Sequence, residues 1–203
     1  DILKIIDCND ETDIYGSNQD WYREKRKQRC GCGPATVTNI IYYIQNKYYG
    51  YGSNIAFTKE KCLELMDEVW NFVTPGRNGI PSTSMLGEGI NKYLKEYKLN
   101  ISLDYLDIPK KKELRPGIDK VIDFLYKAFD NDTPVAFLNL DNGEVKELEA
   151  YHWVTAISLE YCLNENTAFL NIIDGGNEIK IDLYRWLNTT KSGGGFVSFY
   201  IIK

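Results

Sequence analysis

Residues 30–35 read Cys-Gly-Cys-Gly-Pro-Ala, a stretch that predicts the start of a helix. Pro34 suits the first turn of a helix, because the N–H that proline lacks has no partner there. We therefore expect Cys32 at the head of a helix that ends at Gly50 and Gly52. The apolar residues that follow recur at the three- and four-residue spacing of one helix face: Val37, Ile40, Ile41, Ile44 and Tyr48.

The position of Cys32 favours a nucleophilic thiolate. A helix N-terminus carries roughly half a positive charge, which stabilises a thiolate, and its unpaired N–H groups can donate to an oxyanion. Gly31 and Gly33 keep bulk away from the sulfur. Two alternatives stay open: Cys32 is a buried structural cysteine beside a turn, or Cys30 is the reactive thiol. A redox pair of the two is a minor alternative, because a single-residue spacer strains a disulfide.

The cysteine spacing argues against a metal site. The chain has five cysteines and no pair of Cys-x-x-Cys motifs, so we expect neither a structural zinc site nor a disulfide framework. An odd number leaves at least one thiol free in any intramolecular pairing. The five cysteines are Cys8, Cys30, Cys32, Cys62 and Cys162.

His152 is the only histidine of the chain, and so it is the only candidate for an imidazole base that activates Cys32. It begins a predicted strand. Asp174 ends the next predicted strand and can hold the other ring nitrogen of the imidazole. An aspartate before Gly175 and Gly176 is also a common turn former, which is the alternative for Asp174.

Two glutamines precede the nucleophile, Gln19 and Gln28. An amide side chain beside Cys32 can complete an oxyanion hole together with the backbone N–H of the cysteine. Either glutamine could equally lie on the surface, and the residues alone leave the choice open.

Helical patterns occupy the first part of the chain and strand patterns the second. Residues 1–31 are expected to form a largely irregular arm with one short strand or helical turn. The order of helical patterns first and strand patterns second predicts an α+β fold in which helices cover an antiparallel sheet. Helices are predicted from Pro34, over 58–70, 82–97 and 116–130, and strands over 135–140, 152–159, 168–173, 178–181 and 196–202.

The composition is typical of one globular domain. The chain has 203 residues, of which 43% are hydrophobic and 26% charged. We expect a single domain over residues 1–203, with a helical lobe over about 1–130 and a sheet lobe over about 131–203. Residues 74–81 and 141–151 are candidate walls of a cleft between the lobes, because loops that flank a scaffold often carry function.

The net charge of −5 argues against nucleic-acid binding and against binding to an anionic membrane. No apolar stretch is long enough to span a bilayer. No signal peptide is recognisable at the start, so the cytoplasm is favoured, with export after removal of a leader as the alternative. The oligomeric state stays open.

The ordered set of motifs resembles the papain-like cysteine peptidases, and in particular the bacterial branch related to bacteriocin-leader peptidases. The motifs are Cys32-Gly33-Pro34-Ala35 before an amphipathic helix, His152-Trp153-Val154 opening a strand, and Asp174 ending the next strand. The resemblance extends from about Gly16 to Ile202. It implies a papain-like fold with the nucleophile at the head of a central helix. The segment Gly16-Ser17-Asn18-Gln19-Asp20-Trp21 resembles the one that carries the oxyanion glutamine of the family, which favours Gln19 over Gln28.

The resemblance implies a cysteine hydrolase. It would cleave a peptide or other amide through a Cys-His-Asp triad and a thioester acyl-enzyme, without a metal or an organic cofactor. Two alternatives to hydrolysis keep the same fold. The same triad could pass the acyl group to an amine or a thiol, or the fold could serve as a binding module without catalysis.

Overall fold

The computed structural model describes residues 3–6, 14–50 and 57–202, so Cys8 and Gly52 lie outside the described residues. The helices are α1 (Lys25–Cys30), α2 (Cys32–Tyr49), α3 (Lys59–Trp70), α4 (Thr83–Glu96), α5 (Ile118–Asp130) and α6 (Leu183–Thr189), with 3₁₀ turns at Gln19–Trp21, Lys112–Leu114 and Leu163–Glu165. The strands are β1 (Lys4–Ile5), β2 (Ile14–Tyr15), β3 (Ile101–Ile108), β4 (Val135–Asn139), β5 (His152–Cys162), β6 (Thr167–Asp174), β7 (Asn177–Asp182) and β8 (Gly194–Ile201).

The main sheet has six strands in the order β3-β8-β4-β5-β6-β7, and every neighbouring pair is antiparallel. A second sheet consists only of the short antiparallel pair β1 and β2. Helices and antiparallel strands together confirm the predicted α+β class. Among the described helices, none is long and apolar enough to cross a membrane.

Strand β4 shows that the middle of the sheet is covered on both faces. All five of its residues are buried. Val135 and Phe137 pack into a cluster with side chains of α5 and α6, whereas Ala136 and Leu138 pack into a second cluster with side chains of α2 and α4. Because successive side chains of a strand point to opposite faces, a strand between two helical layers has a continuous apolar sequence.

Helix α2 is the central helix of one layer. Nine consecutive residues, 33–41, are buried, and the helix packs against β5 and α3. It ends at Gly50, whose left-handed backbone (φ 68°) lets its N–H donate to the Gln45 carbonyl. The predicted end of the helix at Gly50 is therefore confirmed.

Side-chain caps fix the starts of the next two predicted helices. The Thr58 hydroxyl accepts a hydrogen bond from the N–H of Lys61 at 3.4 Å, and the Ser82 hydroxyl accepts one from the N–H of Met85 at 3.2 Å. Such caps satisfy backbone donors that have no partner within the helix. The predicted starts of α3 and α4 are confirmed.

The sequence pattern missed strand β3, which lies in the part of the chain expected to be helical. It pairs with β8 from Ile101↔Ile201 to Ile108↔Gly194 and forms one edge of the sheet. Only Ile101, Leu106 and Ile108 are buried among its eight residues. In an edge strand with few buried side chains, apolar and polar residues alternate only weakly. The predicted order, helices first and strands second, therefore omitted this strand.

Candidate active site

The reactive candidate, Cys32, is the first residue of α2, and Gly31 alone separates it from α1. As the first residue, Cys32 has a backbone N–H with no partner inside the helix. A Cβ at Gly31 would overlap the Lys27 carbonyl oxygen and lie 2.7 Å from the Tyr22 ring. A Cβ at Gly33 would lie 2.9 Å from Ile80. The chain is therefore tightly packed at the positions before and after Cys32, and a side chain larger than that of glycine would clash at either one.

The sheet topology brings His152 and Asp174 together. His152 begins β5 and Asp174 ends β6, and because these neighbouring strands are antiparallel, both residues lie at the same end of the sheet. The Nε2 atom of His152 lies 2.7 Å from Oδ1 of Asp174. This contact leaves Nδ1 of the imidazole for the sulfur of Cys32.

Opposing effects act on the pKa of His152. Burial alone would lower this pKa, because it disfavours the charged ring. Hydrogen bonds to Asp174 and to Cys32, together with the negative charges of both partners, outweigh burial and raise the pKa from 6.5 to about 10. The imidazole is therefore protonated at neutral pH.

A buried asparagine fixes the turn that leads into His152. Asn139 lies opposite His152 in the β4–β5 pair. Its Nδ2 donates to the Glu149 carbonyl, and its Oδ1 accepts a hydrogen bond from Nε1 of Trp186 at 3.0 Å. Both polar atoms of the Asn139 amide are thus hydrogen-bonded, Nδ2 to the segment before His152 and Oδ1 to α6. Sequence reasoning did not single out Asn139 or Trp186.

The side chains of Gln19 and Gln28 lie in different surroundings. Gln19 lines the same cavity as Cys32 and His152, and its Nε2 donates to the Gln28 carbonyl at 2.9 Å. Its Oε1 is buried and has no hydrogen-bond partner among the described residues. The side chain of Gln28 instead donates to the carbonyls of Asp20 and Tyr22, at 3.1 Å and 2.7 Å. Gln28 therefore supports the 3₁₀ turn, and Gln19 faces the cavity.

A buried polar chain holds the segment before Gln19. The N–H of Ser17 donates to Oδ1 of Asn39 at 2.7 Å, and Nδ2 of Asn39 donates to the Thr155 hydroxyl at 2.9 Å. Gly16 turns the chain at φ 73°, where a Cβ would meet Ile173 and Asn39. These contacts join the arm to α2 and β5. The available signal was Asn39, a polar residue in the buried stretch of α2.

Two cavities meet at Cys32. The first, here called the triad cavity, has a volume of about 400 Å³ and contains Gln19, Cys32, His152 and Asp174. The second, here called the arginine cavity because Arg26, Arg29 and Arg77 line it, has a volume of about 580 Å³. Cys32 and Trp153 line both. Residues of both candidate wall segments line these cavities. Residues 77–81 and Tyr151 line the arginine cavity, and Glu147 and Glu149 line the triad cavity.

The other described cysteines are placed differently. Cys30 ends α1 and lines only the arginine cavity, and its thiol does not contribute to the pKa of His152. Cys62 is fully buried, and burial raises the pKa of its thiol. Cys162 ends β5, at the opposite end of that strand from His152. No group of three or more potential ligand side chains in the described ranges is arranged to hold a metal ion.

Comparisons with known proteins assign no family to the chain: no protein-family model matches it, and neither does any curated protein.

Proposed function

We propose that the protein is a papain-like cysteine hydrolase that cleaves a peptide or other amide bond through Cys32, His152 and Asp174. The observation that carries the proposal is the position of His152, whose imidazole is hydrogen-bonded to Asp174 and shares a cavity with the Cys32 thiol, which helps to raise the pKa of the ring. A nucleophile at the head of a buried helix, with its base and the orienting acid on an antiparallel sheet, is the arrangement that the resemblance to papain-like peptidases implies.

In the first half-reaction the Cys32 thiolate attacks the carbonyl carbon of the substrate and forms a C–S bond. The backbone N–H of Cys32 and Nε2 of Gln19 donate hydrogen bonds to the resulting oxyanion. The imidazolium of His152 then gives a proton to the leaving nitrogen as the C–N bond breaks. The products are an amine and a thioester on Cys32.

In the second half-reaction His152 is neutral and takes a proton from water. The hydroxide adds to the thioester carbonyl, and the C–S bond breaks to give a carboxylic acid. The thiolate and the imidazolium are restored, so the cycle balances without a further reactant. Throughout, Asp174 holds the ring with Nδ1 toward the sulfur and stabilises its positive charge.

The proposal is tested with an activated ester, p-nitrophenyl acetate, on the full chain. We expect an equimolar burst of nitrophenol, an acetyl adduct on Cys32 in the mass spectrum, and decay of that adduct in water. An adduct that forms on Cys30 instead would contradict the assignment of the nucleophile. A chain that forms no adduct on any cysteine would contradict the proposed hydrolase.

Replacement of Gln19 by alanine is expected to lower the rate of acylation roughly 10²–10³-fold, because one donor to the oxyanion is lost. The measurement is the burst rate with p-nitrophenyl acetate. Gln45→Ala is the matched control, since Gln45 lies within α2 and lines neither cavity. A Gln19→Ala chain that acylates as fast as this control would remove Gln19 from the mechanism.

A further inference from the structure

The arginine cavity carries three cationic side chains beside the nucleophile. Arg26 and Arg29 come from α1, and Arg77 comes from the loop between α3 and α4. Arg77 sits in a tight turn that is closed by hydrogen bonds between Gly76 and Gly79 in both directions. The positive charge therefore comes from two separate elements that face one cavity.

None of these guanidinium groups is neutralised by an acidic side chain of the described residues. Arg26 donates to the Pro75 carbonyl at 3.2 Å, and Arg29 and Arg77 have no hydrogen bond or ion pair with any described group. Elsewhere on the surface such pairs are formed, for example between Arg185 and Glu144 at 3.5 Å. The cavity thus keeps hydrogen-bond donors and charge available for an external anion.

Another part of the lining of this cavity is apolar and firmly held. Nε1 of Trp153 donates to the Ile80 carbonyl at 2.7 Å, which fixes the loop against the strand that carries His152. Ile80 and Leu138 add buried apolar surface to the wall. A ligand that fits this cavity has a hydrocarbon stem and an anionic end, which describes an acidic side chain better than a free inorganic anion.

Tyr151 lies at the mouth of the same cavity in an unusual conformation. Its backbone is left-handed (φ 58°) although it has a bulky side chain, and the residue is 76% exposed. Neither burial nor backbone preference accounts for a tyrosine at this position. Strained, exposed residues of this kind concentrate at sites that contact ligands.

The triad cavity has the opposite charge. Asp20, Glu147 and Glu149 lie exposed along it, and Asp174 lies within it. An acidic side chain is repelled on that side of Cys32 and attracted on the other. The two cavities therefore favour one orientation of a charged substrate along the cleft, with its acidic side chain in the arginine cavity.

We propose that the arginine cavity is a specificity subsite that binds an acidic side chain of a peptide, next to the bond that Cys32 attacks. The recognition rests on Arg29 and Arg77, with Arg26 in support, and the stem of the side chain packs on the wall formed by Ile80 and Trp153. The inference deepens the proposed hydrolase function and rests on it for the nature of the ligand.

The test measures binding without catalysis, on the Cys32→Ala chain. Two pools of short acetylated and amidated peptides of Ala, Gly and Leu are prepared, identical except that one contains Glu wherever the other contains Gln. Both are dialysed against the protein, and the retained peptides are quantified by mass spectrometry. At low ionic strength we expect retention of Glu-containing peptides to exceed that of Gln counterparts about ten-fold, with the excess falling as salt is added.

Arg29→Gln/Arg77→Gln, added to the Cys32→Ala chain, is expected to abolish the preference. Arg23→Gln/Arg185→Gln makes the same change in net charge at exposed positions outside the cavity and is expected to retain it. Equal retention of the two pools, or a preference that survives Arg29→Gln/Arg77→Gln, would overturn the subsite.

The failures of the two proposals are distinguishable. Loss of the preference for Glu, with normal acylation of Cys32 in the native chain, would remove the subsite and leave the hydrolase. A preference for Glu that depends on Arg29 and Arg77, without any acylation, would remove the hydrolase and leave an acidic-peptide site.

Discussion

Replacement of Cys32 by alanine is expected to abolish acylation, with a fall of about 10⁴-fold or more in the rate of ester hydrolysis. The reason is that Cys32 is the only described cysteine whose thiol raises the pKa of His152, and the only one at the head of a long buried helix. The measurement is the nitrophenol burst together with the mass of the chain.

The matched control for this change is Cys30→Ala. Cys30 lies two residues away, lines the arginine cavity and has no contact with His152, so its loss is expected to leave the burst intact. Thermal unfolding of both variants separates loss of chemistry from loss of fold. A Cys32→Ala chain that still gives a burst, or a Cys30→Ala chain that does not, would be incompatible with the assigned nucleophile.

Replacement of Asp174 by asparagine is expected to lower the rate of acylation roughly 10²–10⁴-fold. The amide removes the negative charge that stabilises the imidazolium, and it no longer fixes which ring nitrogen faces Cys32. Asp123→Asn is the matched control, because Asp123 is exposed on α5 and lines neither cavity. A loss no larger than that of the control would show that Asp174 is only a turn residue before Gly175.

The same variant has a pH-dependent effect on stability, and its sign follows from the raised pKa of His152. The folded state holds the ring proton more tightly than the unfolded state, so protonated His152 stabilises the fold. This contribution is fully present below the ordinary pKa of 6.5 and is lost as the pH rises through about 10. The difference in free energy of unfolding between the native and Asp174→Asn chains is therefore expected to shrink from pH 6.5 toward pH 10, measured by chemical denaturation.

Much of the site could be predicted because its parts lie at the ends of regular elements. Cys32 begins a helix, His152 begins a strand and Asp174 ends one, and turn residues mark each boundary in the sequence. The single histidine restricted the choice of base further. Residue types alone left the choice between Gln19 and Gln28 open and only the family resemblance favoured Gln19, because the choice depends on which amide the fold turns toward the cavity.

The features that escaped prediction depend on contacts between residues far apart in the chain. β3 forms its edge by pairing with β8, almost a hundred residues later. Asn39 is explained only by Ser17 on one side and Thr155 on the other. The arginine cavity combines α1 with the loop that holds Arg77. Local periodicity contains no information on such pairings, since it reports which face of an element is apolar and not what covers it.

The central claim, that Asp174 and Cys32 together hold the protonated imidazole of His152, is tested most directly by titrating the imidazole by NMR. Because His152 is the only histidine, its Cε1–H signal needs no assignment by mutation. We expect a pKa of about 10 in the native chain and a lower pKa in Cys32→Ala, where the hydrogen bond and charge of the thiol are absent. A midpoint near 6.5 that is the same in both chains would contradict this claim.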